Sequence, residues 1–271
     1  MTSLMTLTSG NMALTEAEVA ILAELADEQN AYDMQPSRVK VAPGGIGQFL
    51  LGDDTAKNFT AIVAISQKIR GYWPAAGTGA APLCSSPDGA RGFFNGDCSN
   101  EEFDAAVKAP ISHPGAVALA NKQQLLPNYD CLRCPMNQWG SEHQRRGGQG
   151  GKGKACKEMR RLLLLIDGWA LPAIMSLPPT SIRAWDAYCS AHAAKRSAYF
   201  AVKTRFELDA AKAAGGETYN VVKVSPSGAL GIAEIKMVGD IRRQYKELIG
   251  GLPVDSTEYS TEAATSEEIP Y

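Results

Sequence analysis

The sequence predicts a mainly β fold with helices (α+β), built on a small closed barrel of the OB type that carries a long insertion. Apolar segments rich in β-favouring residues lie before residue 75 and after residue 157. Between them, residues 75–157 are poor in apolar periodicity but hold five of the six cysteines. One helix and a hairpin follow. The loops of an OB-type barrel accept long insertions, which favours this fold over others with the same strands.

The predicted strands follow from apolar runs and from period-two alternation. Residues 37–54 predict two short strands, or one bulged strand, around a Pro-Gly-Gly break. Residues 59–73 predict one long strand, with a helix over residues 61–69 as the alternative. Further strands are predicted over residues 160–166, 172–177 and 199–208, and the last of these pairs with residues 218–226 in a hairpin.

Three helices are predicted. Thr15 and Glu18 have the spacing of a capping box, which indicates a first helix that ends before residue 36. Thr180 or Ser181 is expected to cap a second helix that runs to about residue 195. A third helix over residues 229–248 ends at a glycine pair.

Charge divides the chain into three parts. Residues 1–36 are expected to contain an acidic helix, and residues 252–271 are expected to form a flexible acidic tail. Neither segment contains a Lys or an Arg. Residues 34–251 contain all 27 Lys and Arg with 18 of the 29 acids, a net charge of +9. A basic body of this kind, here residues 37–251, indicates a polyanionic partner, with which the acidic tail is expected to compete.

A metal site is predicted in residues 131–156. This segment opens with Cys131-x-x-Cys134, closes with Cys156 and has almost no apolar side chains to bury. A Cys-x-x-Cys pair spans one edge of the tetrahedron that structural zinc requires, so we expect structural Zn²⁺ in a zinc-stabilised insertion. Three residues are candidates for the fourth ligand: Cys84, Cys98 and His143.

Catalysis is not expected. The chain has neither the H-x-E element of zinc deaminases nor the H-E-x-x-H element of zinc proteases. It has no run of 18 apolar residues and no recognisable signal peptide, so we expect a cytoplasmic protein without a membrane partner. In a reducing cytosol, six cysteines are not expected to form disulfides.

Three motifs occur in order along the chain. They are Leu-Cys-Ser-Ser-x-Asp-Gly at residues 83–89, Cys-x-x-Cys-Pro-x-Asn-x-Trp-Gly-Ser at 131–141 and Gly-Lys-Gly-Lys-Ala-Cys-Lys at 151–157. With the residues that follow them, they resemble a group of phage- and mobile-element-encoded proteins thought to bind single-stranded DNA. The resemblance extends over residues 38–225. It implies that Cys84 is the fourth zinc ligand.

The last residues carry a second resemblance. Glu267, Glu268, Ile269, Pro270 and Tyr271 are similar to the acidic Ile-Pro-Phe tip of bacterial single-stranded-DNA-binding proteins, with Tyr in place of Phe. In those proteins the tip recruits replication and repair enzymes. The resemblance implies that this tail recruits replication or recombination proteins.

Binding of a single strand without sequence preference requires aromatic rings for base stacking and cations for phosphates. The candidate stacking residues are Phe49, Tyr72, Trp73, Trp139 and Tyr199. The candidate phosphate contacts are Arg70, Arg145, Arg146, Lys152, Lys154, Arg160, Lys203 and Arg205.

The sequence therefore predicts a non-enzymatic protein that binds and protects single-stranded DNA in phage or plasmid replication or recombination, in a bacterial host cytoplasm. A zinc-containing RNA-binding or transcription-regulating protein is the alternative. A zinc nuclease is a third class, against which the missing cluster of His and carboxylate residues argues.

Overall fold

The computed structural model describes residues 36–42, 45–73, 81–94, 129–142, 153–212 and 218–254. The predicted N-terminal helix and residues 255–271 of the predicted acidic tail, including its tip, lie outside these residues. The predicted start of the tail at residue 252 is wrong, because Val254 is buried against Ile69, Trp73 and Met159. Within them the chain forms eleven strands and two α-helices. The strands are β1 (Ser37–Val41), β2 (Phe49–Leu51), β3 (Asp54–Ala56), β4 (Asn58–Tyr72), β5 (Cys84–Ser86), β6 (Arg91–Phe94), β7 (Tyr129–Asp130), β8 (Cys156–Ile166), β9 (Ala173–Leu177), β10 (Val202–Lys212) and β11 (Thr218–Ala229). The helices are α1 (Pro179–Ala194) and α2 (Ile232–Gly251), and short 3-10 turns cover Pro135–Asn137 and Tyr199–Ala201.

Strand β4 is the centre of the sheet. It pairs antiparallel with β8 along most of its length, while its other edge pairs first with β10 and then with β5. Strand β9 continues the sheet beyond β8 and pairs parallel with β1. The register of β4 against β8 shifts between Val63 and Ile65, and an irregularity of this kind increases the local twist. The resulting sheet is strongly curled into a half-barrel.

Both faces of the central strands are buried. On β8, Leu162 and Leu164 belong to a core that α1 covers with Trp185 and Tyr188. Leu163 and Leu165 point to the opposite face, where α2 covers a second core. This double burial explains why residues 162–166 of β8 form an unbroken apolar run instead of an alternating one.

Most predicted elements are confirmed, and two alternatives are now decided. Residues 37–54 contain two short strands, β1 and β2, which pair antiparallel, and not one bulged strand. Residues 58–72 are strand and not helix. The hairpin is confirmed by the antiparallel pairing of β10 with β11. The predicted cap of α1 is wrong: Pro178 is the N-cap residue and no side chain caps the helix. The hydroxyl of Ser181 instead accepts a hydrogen bond from the Val222 backbone N–H at 2.9 Å, which ties α1 to β11.

Candidate nucleic-acid interface and cysteine lobe

Four of the cysteines are gathered at one end of the sheet. Cys84 on β5 and Cys156 on β8 both pair with Tyr72 of β4, one from each side. Cys131 and Cys134 lie in the turn that follows β7. We call residues 81–94, 129–142 and 153–156 the cysteine lobe. The lobe thus contains all four predicted zinc ligands, while Cys98 and His143 lie outside the described residues.

The four thiols affect one another electrostatically. Burial raises the pKa of Cys84, and the charges of Cys134 and Cys131 raise it further. Burial and the charges of the other three cysteines raise the pKa of Cys156 well above its ordinary value. The described cysteines form no disulfides. Packed, reduced thiols that disfavour each other's ionisation would be stabilised by a cation that binds thiolates.

The sulfurs are not, however, arranged as a closed ligand set. Within the described ranges, no three His, Cys, Asp or Glu side chains are grouped so that they could hold a metal ion. The donor chemistry is that of a four-thiolate zinc site, but its geometry is not formed here.

Hydrogen bonds from polar side chains hold the lobe together. Asp88 accepts from the backbone N–H groups of Ala90 and Arg91, each at 2.8 Å, and so closes the turn between β5 and β6. Although burial opposes it, these hydrogen bonds lower the pKa of the Asp88 carboxyl. The Cys131 backbone N–H donates to the Ala90 carbonyl at 2.9 Å, which joins the Cys-x-x-Cys turn to this hairpin.

Asn137 performs the same role inside the Cys-x-x-Cys turn. Its side-chain amide donates to the Cys131 carbonyl at 2.7 Å, and its backbone N–H donates to the Cys134 carbonyl at 3.0 Å. Its side-chain oxygen accepts from Arg70 and, at 3.2 Å, from Lys154. One buried amide therefore links both cysteines of the pair to the sheet.

Arg70 joins the lobe to the central strands. Its side chain donates to the Gly89 carbonyl at 3.0 Å and to Asn137, and forms an ion pair with Glu158 at 2.8 Å. Only 4% of Arg70 is exposed. The prediction that Arg70 contacts a phosphate is therefore wrong for this structure. Its guanidinium is enclosed, and its donors are occupied by Gly89, Asn137 and Glu158.

Trp139 is the predicted stacking residue that the structure presents to solvent. It is 59% exposed, and the Lys154 ammonium lies 5.3 Å from the centre of its ring. An exposed indole beside a cation is a combination that single-strand-binding proteins use for a base and its phosphate.

The other predicted stacking residues are placed differently. Phe49 has no exposed surface and packs edge-on against Phe59 in the core under α1. Tyr72 and Trp73 are buried, and the Trp73 ring lies against Gly71, where an added Cβ would come within 2.4 Å of it. A base cannot reach these three rings, so their prediction as stacking residues is wrong. Tyr199 is half-buried between Trp185 and Phe200.

The predicted phosphate contacts lie on several parts of the surface. Arg160 pairs with Asp186 at 3.2 Å beside the cysteine lobe. Lys203 pairs with Asp167 at 3.0 Å and Arg205 with Glu207 at 3.0 Å on β10, so their cations are partly neutralised. The loop residues Arg145, Arg146 and Lys152, and the tail residues Glu267, Glu268, Ile269, Pro270 and Tyr271, lie outside the described residues.

Lys68 and Glu158 were not among the site residues predicted from the sequence. Lys68 lies opposite Arg160 across the β4–β8 pair, and Glu158 lies opposite Arg70. Lys68 and Arg70 are two residues apart near the end of β4, and this spacing indicates that they share one face of the strand. Only the pairing register shows which residues of β8 share that face.

Comparisons with family models, with curated proteins and with solved structures find no match to this chain. In the described part of the chain, neither helix is both long and apolar enough to cross a membrane.

Proposed function

We propose that this protein binds and protects single-stranded DNA without sequence preference, in the replication or recombination of a phage or plasmid. The observation that carries the proposal is the exposed Trp139 with Lys154 at its ring. A base that stacks on an exposed indole contributes roughly 1–3 kcal/mol to binding. Every base has a π face, so this contact does not select a sequence.

The charge of the body supports the same conclusion. Residues 34–251 have a net charge of +9. Lys154 lies at the Trp139 ring, and Lys68 and Arg160 lie opposite each other on one face of the β4–β8 pair. Phosphate neutralisation by such residues supplies most of the affinity in sequence-independent binding.

We further propose that the curled half-barrel is an OB-like fold, and that the cysteine lobe is a zinc-stabilised insertion between β4 and β8. In this proposal Cys84, Cys131, Cys134 and Cys156 would hold a structural Zn²⁺. Zinc would stabilise the thiolates of Cys84 and Cys156, whose pKa burial and the neighbouring cysteines now raise. Zinc would keep Trp139 at a defined position, because Trp139 lies five residues after Cys134 on a short turn.

The acidic C-terminus completes the proposal. Glu267, Glu268, Ile269, Pro270 and Tyr271 would recruit replication or recombination proteins to the coated strand. Asp and Glu residues in the same tail would compete with DNA for the basic body at low salt.

Titration of the full chain with oligo-dT, followed by Trp fluorescence, tests the proposal. Wild type is expected to bind oligo-dT more tightly than duplex DNA or RNA. Trp139→Ala is expected to raise Kd by about 5- to 150-fold, which is the 1–3 kcal/mol of one lost stack. The control is Ile232→Ala on α2, which removes a more exposed apolar side chain (78% against 59% for Trp139) far along the chain from the lobe.

Equal effects of the two substitutions would contradict the role of Trp139. Preferential binding of RNA by wild type would favour the RNA-binding alternative, and cleavage of any of the three substrates would contradict a non-enzymatic function.

A further inference from the structure

A group of basic side chains lies on one face of the β4–β8 pair. Charges of this group act on Lys154, whose ammonium lies 5.3 Å from the centre of the Trp139 ring. Lys68 is directly opposite Arg160, and Arg70 is directly opposite Glu158. Opposite residues of an antiparallel pair project from the same face, and so do residues two apart on one strand. All four side chains therefore share the face that carries Cys156 at the edge of the cysteine lobe.

Cations outnumber carboxylates in this group. Glu158 forms ion pairs with Lys68 at 3.0 Å, with Arg70 at 2.8 Å and with Arg160 at 3.4 Å. Lys154 is close enough for the charges of Arg70, Glu158 and Lys68 to act on it. The only other carboxylate paired with the group in the described residues is that of Asp186, which α1 contributes to Arg160 at 3.2 Å. Four cations thus share two carboxylates, and the surplus positive charge favours a bound anion.

Accessibility assigns different roles to these cations. The Arg70 side chain is only 5% exposed, so it holds the lobe. The Lys68 side chain is 41% exposed and can reach a ligand, whereas the Arg160 side chain is 15% exposed and would meet the ligand over a smaller surface. The stem of Lys68 is also positioned: it crosses Gly89, where an added Cβ would lie 2.7 Å from the Lys68 Cγ. Gly89 has a positive φ of 72°, a conformation that favours glycine.

We propose that Lys68 and Arg160 bind a backbone phosphate of the strand whose base stacks on Trp139, and that Glu158 occupies the same cations in the free protein. The inference rests on the proposed function and adds a specific phosphate site to it. A phosphodiester oxygen would accept from the Lys68 ammonium and the Arg160 guanidinium as the Glu158 carboxylate does now. Glu158 would keep both cations extended toward the site but weaken binding by competition.

The salt dependence of oligo-dT binding tests the phosphate contact. Lys68→Gln is expected to reduce the slope of log K against log salt concentration by about 0.7, the value for one phosphate contact on a single strand. Lys68→Arg is expected to restore the slope. The matched control is Lys223→Gln, because Lys223 is also an exposed lysine on a strand, paired with Asp209 at 3.6 Å.

Glu158→Gln tests the competition, and it is expected to tighten binding several-fold at low salt while the circular dichroism spectrum is retained. Unchanged or weaker binding by a folded Glu158→Gln protein would overturn the role of Glu158. Equal slopes for Lys68→Gln and Lys223→Gln would overturn the phosphate site, whether or not the Glu158 variant folds. If wild type itself fails to bind oligo-dT, the proposed function fails, and the phosphate site fails with it.

Discussion

Replacement of Arg70 by Met separates a structural arginine from a DNA-contacting one. Arg70 is enclosed and bonds to the Gly89 carbonyl, the Asn137 side chain and the Glu158 carboxylate. Met has a similar length and fills much of the same space, but it donates no hydrogen bond. The substitution therefore removes the polar link between the central sheet and the cysteine lobe without creating a large cavity.

The expected loss of stability follows from what each partner keeps. Asn137 retains Lys154, and Glu158 retains Lys68 and Arg160. The Gly89 carbonyl, in contrast, loses the side-chain donor that Arg70 provides. Hydrogen bonds to charged groups contribute about 1.5–3 kcal/mol each, and breaking a buried ion pair costs roughly 3–5 kcal/mol. Because two partners are compensated, we expect a loss of about 3 kcal/mol, or roughly 6–12 °C in Tm for a domain of this size.

Urea denaturation monitored by circular dichroism measures this loss. Arg183→Met is the control, because Arg183 is an exposed arginine on α1, and exposed substitutions change stability by no more than about 0.5 kcal/mol. If Arg70→Met is as stable as Arg183→Met and instead loses affinity for oligo-dT, the reasoning from burial is refuted and Arg70 is a DNA contact.

Three other predictions test separate parts of the structure. Arg161 is fully buried and donates to three carbonyl oxygens, those of Ile249 in the last turn of α2 and of Leu252 and Pro253 just after it. Arg161→Met is therefore expected to cost about 2–4 kcal/mol, and amide hydrogen exchange should become faster in the last turn of α2 but not in β8. Cys84→Ser is expected to lower the zinc content of the purified protein, whereas Cys98→Ser retains one zinc per chain; equal zinc content in the two would contradict Cys84 as a ligand. The folded-state pKa of Asp88 is lowered, so its contribution to stability is complete above the ordinary Asp pKa of about 3.9 and is lost as the pH falls through the lower folded value. Acid titration of Trp fluorescence should therefore show a transition below pH 4 that Asp88→Asn shifts or removes; an unchanged transition would contradict this role.

Local pattern was sufficient for the elements whose burial repeats along the chain. The alternation before residue 208 placed Val202, Thr204 and Phe206 on one face, and all three are buried. The apolar run of β8 predicted a strand for the same reason, since its side chains are covered on both faces. Side-chain periodicity is set by backbone geometry, so a single sequence reports it directly.

Composition was not sufficient for residues whose environment depends on distant neighbours. Phe49, Tyr72 and Trp73 have the residue types of stacking groups, yet the core and the lobe enclose them. Arg70 has the residue type of a phosphate contact, yet Gly89 and Asn137 surround it. The residues that enclose Arg70 lie 19 and 67 positions away along the chain, so the sequence pattern around Arg70 does not reveal them.

What the sequence by itself determined is the order of strands and helices, the basic body between acidic ends, and the gathering of cysteines in one core-poor segment. The tertiary structure alone decided which aromatic and basic side chains are exposed. It did so because β4 pairs with β8 along most of its length and changes partners from β10 to β5 along its other edge. This arrangement brings Lys68, Arg160 and Glu158 together on one face of the sheet. Pairing register and curvature arise from contacts between distant segments, and no local pattern encodes them.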